Sequence, residues 1–374
     1  MKRPDSRNPV RTFVLLCVIS AVGLGAYFYW MSTKRLAQAS NPPAVVVRPT
    51  PEVRLALPEP PEKPPISPVA EDGGSLKPAA PRPAFEPREI LFRYNALNAN
   101  YGKLAALNYP GMGAPRFIDG LACETLHFAG DRGICLRADR GVMTTYTAVI
   151  FDSTFKTLFS IPLQGAPSRC RVSPDGKLAA FTVFLSGHSY ASVDFTTQTM
   201  IVDTTSGKVL ANLEDFAVTR DGQAFKEQDF NFWGVTFTPD SKRFYCTLSS
   251  NRKHYLVEGD VELRAAKVIH ENVECPSVSP SGALIAYKKR LPTPGRIEWQ
   301  LHILDTAAMR ETPLAEKRSV DDQIEWLDEE SVLYALPENP TVSSASTNVW
   351  RALVDGKTPP AIFLRTAYSA VAVR

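Results

Sequence analysis

Gly187-His188-Ser189 sets a histidine beside a serine, the residue types of a general base and the hydroxyl it could activate. Sequence neighbours rarely adopt that geometry, and no G-x-S-x-G elbow or α/β-hydrolase pattern accompanies them. The five histidines, His127, His188, His254, His270 and His302, include no pair at the H-E-x-x-H spacing of a zinc-protease helix. His127 and His302 fall in expected strands and read as hydrogen-bonded structural residues. There is no Walker-type loop and no dinucleotide fingerprint. Asp321 and Asp322 are paired carboxylates that could take a cation or a basic partner. Adjacent residues in an extended segment point opposite ways, however, which argues against joint acid–base work and for a solvated loop tip or a turn cap.

Of six cysteines, Cys17 lies in an apolar run, while Cys123, Cys135, Cys170, Cys246 and Cys275 are dispersed with no zinc-like spacing. One bridge is open to them in an oxidising compartment, and their odd number leaves at least one thiol over in a monomer. Nothing in these patterns asks for a metal or a cofactor. Recognition chemistry is richer. Residues 185–198 (LSGHSYASVDFTTQ) contain His188, Tyr190 and Asp194, and residues 214–232 lead through Asp229, Phe230, Asn231 and Phe232 to Trp233. Aromatic surface beside hydrogen-bonding groups suits a protein or peptide partner. The alternative is that these aromatics anchor the longer segment to the blade before it, because a long loop must pack its own side chains to be ordered.

The elements that position these segments repeat. CRVSPDGKLAAFTVF from Cys170, GVTFTPDSKRFYCTL from Gly234, PSVSPSGALIAYKKR from Pro276 and QIEWLDEESVLYALP from Gln323 each join two short apolar strands by a Pro, Asp, Ser or Gly turn. TLHFAGDRGICLRAD from Thr125 is a fainter copy. Successive turns lie about 43, 65, 41 and 48 residues apart, the period of a four-stranded propeller blade with one insertion. A second strand pair follows several hairpins, as in MIVDTTSGKVL from Met200. These hairpins give five blades. A sixth must be assembled from residues 89–94 and 103–109 together with an isolated apolar strand at 369–373, which would become its inner strand and remove exposed sheet edges. The expectation is an all-β, six-bladed β-propeller of four-stranded antiparallel blades over residues 89–374.

VSPDG followed by LAAF, FTPDS followed by RFY, and VSPSG followed by LIAY resemble the repeats of the TolB-like β-propellers of bacteria, relatives of WD-repeat propellers. The resemblance covers roughly residues 90–374 and implies a fold more than a function, since such propellers serve as scaffolds, binding domains and parts of enzymes. The family's founding protein carries a small α/β domain before its propeller. A different segment stands there in this chain, so the partners of a Tol system do not transfer.

That segment begins with a short basic tail, residues 1–11, followed by residues 12–31, TFVLLCVISAVGLGAYFYWM, twenty residues without a charge. The run is long enough to span a bilayer as one helix, with Tyr27, Tyr29 and Trp30 at its far end and the heavier positive charge before it. A signal anchor with a cytoplasmic N-terminus and an extracytoplasmic propeller is expected. A cleaved signal peptide is the alternative, since Ala37-Gln38-Ala39 has the spacing of a cleavage site. Residues 32–88 form a proline-rich linker, with fourteen prolines among the forty-nine residues 40–88, which reads as a disordered, semi-rigid spacer. A net charge of +3 gives no pull toward nucleic acid.

In an antiparallel blade with strands a to d from the inside out, the a–b and c–d turns share one face, and the b–c and d–a loops share the other. The SPDG-type turns are a–b connections, so the longer loops lie opposite them, and loops on a rigid scaffold carry binding and catalysis. The functional expectation is a membrane-anchored scaffold that binds a protein or envelope component through that face. A propeller hydrolase or lyase with its site in the channel mouth, and a ligand-sensing ectodomain, are the alternatives.

Overall fold

The computed structural model of the protein describes residues 86–191, 195–337 and 346–374. The basic tail, the apolar run 12–31 and most of the proline-rich stretch lie outside the described residues, as does Asp194. Among the described residues no helix is long and apolar enough to cross a membrane.

Six antiparallel sheets follow one another around a ring. Blade 2 runs outward through Thr125–Ala129, Arg132–Arg140, Thr144–Asp152 and Thr157–Leu163, and blade 3 through Ala166–Val172, Leu178–Ser186, Thr196–Asp203 and Val209–Asn212. Blade 4 begins at Asn231–Phe237 and continues through Arg243–Ser250, Lys253–Asp260 and Ala265–Glu271. Blade 5 comprises Glu274–Val278, Leu284–Arg290, Trp299–Asp305 and Glu311–Pro313, and blade 6 Glu325–Trp326, Ser331–Pro337, Thr347–Leu353 and Ala361–Leu364. The turn chemistry sets the hairpins. In Ser173-Pro174-Asp175-Gly176 the Ser173 hydroxyl donates to Asp175 at 2.7 Å and accepts from the Leu178 amide at 2.9 Å. Gly176 takes φ 74°, and a Cβ there would also press on the Ala129 carbonyl at 3.3 Å, so glycine is favoured at this position.

Blade 1 closes the ring as expected from its pieces. The last strand, Ala367–Val373, lies innermost and pairs with Glu89–Tyr94, whose outer neighbours are Lys103–Asn108 and Arg116–Ala122. Glu89 faces Val373 and Leu91 faces Val371 in this register. Cys123, on the connection to blade 2, forms a disulfide with Cys135 in the second strand of blade 2 and so ties the closing blade to its neighbour. Cys170, Cys246 and Cys275 are buried free thiols.

Among the described residues the one departure from four-stranded blades is blade 4, which has six strands. Residues 214–232 do not form a plain loop. After a single 3-10 turn, Leu213–Asp215, they make a hairpin of Ala217–Arg220 and Gln223–Phe225, and the first of these strands pairs in parallel with Ala265–Glu271. The insertion therefore extends the outer edge of blade 4 rather than anchoring to blade 3 alone. Phe225 and Phe230 pack against a cluster that holds Phe216, Phe232, Phe244 and Tyr255 and reaches Ile201 of blade 3.

Packing between blades supplies the core. One apolar cluster fills each junction: Leu126, Phe128 and Val371 between blades 1 and 2, Ile134, Val172 and Phe181 between 2 and 3, and Leu301, Trp326 and Tyr334 between 5 and 6. Each fully buried aliphatic or aromatic side chain contributes roughly 1.5–3 kcal/mol. The inner strands then leave a central channel, and their period-two alternation decides what lines it. In Ala166–Val172 the alternation sends Arg169 and Arg171 toward the channel and Cys170 into the apolar layer between blades.

Candidate functional site

The channel opens at both ends and narrows between them. The waist, only about 20 Å³, is lined by His127, Arg169, Arg171, Gln323, Glu325 and Ser369 among others. Glu325 is bound by Arg171, which also donates to the Ile324 carbonyl at 2.9 Å, and lies 3.6 Å from His127. Burial opposes the charge on Glu325, but Arg171 and His127 more than compensate and hold its carboxyl at about 2. Burial and the Arg171 charge push His127 the other way, down to about 4. The His127 Nδ1 accepts from the Val172 amide at 3.0 Å, so its ring proton sits on Nε2, toward Glu325.

The mouth on the b–c face is a hollow of about 410 Å³. Three of the residues singled out in the sequence line it: His188, Tyr190 and Asp321. Tyr190 is buried and fixes the loop that carries it. Its hydroxyl and that of Ser168 are 2.5 Å apart, its carbonyl accepts from Arg290 at 2.9 Å, and its ring stacks on Trp233 with centroids 4.9 Å apart. Trp233 is itself fully buried and presents no surface to a partner. His188 is exposed and makes no hydrogen bond or ion pair among the described residues.

Asp321 and Asp322 diverge, as an extended segment requires. Asp321 faces the mouth, 3.0 Å from Arg169 and 2.6 Å from the fully buried ammonium of Lys288. Burial works against its charge, yet Lys288 and Arg169 hold its carboxyl below the ordinary range. Asp322 accepts from the amides of Gln323 and Ala335, both at 2.8 Å, and burial raises its carboxyl. It is a buried cap for blade 6 and adds no second carboxylate to the mouth. Lys288 rests among aromatic faces, 4.5 Å from the centroid of Trp299 and 5.3 Å from that of Tyr190.

Asp229 and Asn231 stand away from this mouth, at the junction of blades 3 and 4. Asp229 accepts from Ser250 at 2.7 Å and from the Asn251 amide at 2.6 Å, and Asn231 accepts from the Thr197 amide at 2.7 Å. Both line a separate open hollow with His254, Arg252 and Arg290. The eight residues singled out in the sequence thus divide: three at the mouth, two buried behind it, two at a neighbouring hollow, and Asp194 outside the described residues.

Residues that sequence reasoning passed over complete the mouth: Arg93, Glu124, Ser168, Arg169, Thr347 and Tyr368. The signal available for them was a charged residue inside an otherwise apolar strand, as in EILFRY and in APSRCRV. The opposite mouth was passed over as well. Between the SPDG-type turns lies a hollow of about 450 Å³ walled by Phe128, Pro174, Pro239, Pro280 and Trp326, with His127, Arg171 and Glu325 at its base.

No protein-family model matches the sequence, and no curated protein matches it. Among solved structures, TolB from Acinetobacter baumannii is similar with a TM-score of 0.53 at 16% identity, over 76% of this chain and 67% of that one. The putative TolB from Agrobacterium tumefaciens gives 0.44 at 12% identity, over 68% of this chain and 88% of that one. A chain of the nidogen/laminin complex gives 0.48 at 10% identity, over 76% and 97%. At 16% identity the likeness to the Acinetobacter baumannii protein bears on the fold alone, which is that of a TolB-like β-propeller.

Proposed function

We propose that this TolB-like propeller is a binding scaffold that engages a protein or envelope component at the b–c mouth of its channel, outside the cytoplasm. The observation that carries this is the mouth itself: an open hollow on a rigid ring, walled by loops from several blades and mixing aromatic, hydroxyl and charged groups. Its carboxylates are each held by cations, and neither Glu124 nor Asp321 is hydrogen-bonded to His188 among the described residues. Groups so committed suit binding more than proton transfer.

Photo-crosslinking in cells tests the face. A crosslinking residue at Leu97 or Val142, on the b–c loops of blades 1 and 2, is expected to give discrete adducts, while one at Leu263 or Met309 on the other face gives none. Adducts confined to Leu263 and Met309 would overturn the choice of face.

The extracytoplasmic placement is supported by the twenty uncharged residues 12–31, the spacer that follows, and the Cys123–Cys135 disulfide, a bond that persists in oxidising compartments. Deleting residues 12–31 is expected to move the chain from the membrane to the soluble fraction. An unchanged membrane fraction would refute the anchor.

A further inference from the structure

Where blades 3, 4 and 5 meet on the b–c face lies the second hollow, about 640 Å³, within the range of small-ligand sites. It holds an uncommitted imidazole. The His254 side chain lines the hollow although it is more than nine-tenths buried, and its ring nitrogens make no hydrogen bond among the described residues. Glu274 stands 4.0 Å from its Nδ1, beyond hydrogen-bond reach, and the Trp233 ring lies 5.7 Å away in an edge contact. Burial lowers His254 to about 4, so at neutral pH the ring is uncharged and offers one donor and one acceptor. A buried polar group in this state favours a ligand that completes it.

The charges around the imidazole cancel. Arg290 donates through Nε to Glu274 and through Nη2 to the Tyr190 carbonyl at 2.9 Å, which leaves its Nη1 uncommitted among the described residues. Asp229 and Arg252 supply one further charge of each sign. No ionic group is called for. The groups left to a ligand are His254, the Ser249 hydroxyl and Nη1 of Arg290, a mixture of donors and acceptors that pairs with hydroxyl groups. Phe195 and Ile297 add an apolar wall, packed on the cluster that holds Tyr190 and Trp233. The backbone is closed to a polypeptide strand, because Ser186 pairs with Thr196, Ser249 with His254 and Arg290 with Trp299, all on interior strands. Recognition here falls to side chains.

We propose that this hollow is a further binding site, for an uncharged saccharide, with sugar hydroxyls on His254, Ser249 and Arg290 and the apolar face of a sugar ring against Phe195 and Ile297. It shares no lining residue with the channel mouth among the described residues, and it does not depend on what enters there.

The test is an array of neutral oligosaccharides of two to four units, probed with the full-length, amine-labelled chain in phosphatidylcholine nanodiscs, followed by calorimetric titration of a bound glycan. A restricted set of glycans is expected to bind. His254→Leu, which removes both ring partners from a buried position, should weaken the titrated glycan at least about tenfold. His254→Gln, whose amide keeps a donor and an acceptor, should retain most of the affinity. Ser249→Ala, a change too small to unfold the ring, should lose about threefold, and thermal unfolding of each variant establishes that the ring is folded. Failure of every neutral glycan to bind would overturn the proposal, as would equal affinity in the native chain, His254→Leu and Ser249→Ala. Binding confined to sulfated or carboxylated sugars, run as controls on the same array, would refute the uncharged class. Phage-displayed peptides that bind the native chain and not His254→Leu, with no glycan bound, would give the hollow to a polypeptide and refute the saccharide.

Discussion

A chain ending at Thr366 loses its cooperative thermal unfolding. The missing strand, Ala367–Val373, is the inner strand of blade 1, paired along Glu89–Tyr94. Val371 belongs to the apolar cluster between blades 1 and 2, and Ala367 and Ala372 belong to the one between blades 6 and 1. The Ser369 hydroxyl bridges the amide and carbonyl of Leu126, and the Ala372 amide donates to Glu325 at 3.3 Å. Truncation would open two junctions at once and expose a strand edge. Several backbone hydrogen bonds at about 1 kcal/mol each, together with the lost burial, are comparable to the whole net stability of a domain, about 5–15 kcal/mol. Circular dichroism on heating would show a broad drift in place of a sigmoid. A truncated chain that still unfolds sharply, within about 5 °C of the intact one, would refute the role of closure.

Stability falls steeply between neutral pH and pH 4. Burial, aided at His127 by Arg171, lowers His127 to about 4, and burial lowers His254 to about 4 despite the nearby Glu274 charge. Both are depressed from an unfolded value of 6.5, so on acidification the unfolded chain takes up the proton first. The stability they confer is complete above 6.5 and is lost as pH falls to 4, about 3 kcal/mol for each. Glu325, at about 2, has the same sign: its share is present above the ordinary carboxylate range and is lost between there and pH 2. Urea midpoints at pH 7, 5.5 and 4.5 should decline accordingly. His127→Gln should flatten the decline while lowering the midpoint at pH 7. Equal slopes in the variant and the native chain would show that His127 does not couple folding to the proton.

Ring and blade number were legible in the sequence because a hairpin turn is a local event. Ser173-Pro174-Asp175-Gly176 and Thr238-Pro239-Asp240-Ser241 contain the groups that fold them, hydroxyl, carboxylate and left-handed residue, within four positions. Closure was legible for a different reason: an apolar strand with no neighbour in sequence, 369–373, must find one in space. The added hairpin of blade 4 escaped notice although Asp221-Gly222 is a hairpin signal, with φ of 52° and 77°. Its polar flanks read as loop, and pairing to Ala265–Glu271 depends on a distant strand, with Ala217 set against Ala265.

The mouth was half legible. His188 and Asp321 were found because long loops on the b–c side had to converge there. Arg93, Arg169 and Lys288 were not, because a charged residue in a half-buried strand ordinarily faces solvent. Only ring closure turns those positions inward. Trp233 and Asp322 carried the right chemistry on the right segments and were spent on packing and capping.

The turns on the SPDG side do more than end strands. Gly130 abuts Gly176, the Asp175 amide donates to Ser241 at 3.1 Å, Pro239 packs on Gly282, and Ser281 donates through both amide and hydroxyl to Glu329 at 2.6 and 2.8 Å. Blades 2 to 6 are thereby laced into a hoop at one end of the disc. Among the described residues the other end is joined through side chains, as where Arg290 donates to the Tyr190 carbonyl and Asn231 accepts from the Thr197 amide. Mechanical compliance must then be graded along the channel axis, stiff at the laced rim and yielding at the loop rim, so amide exchange should slow from one side of each blade to the other.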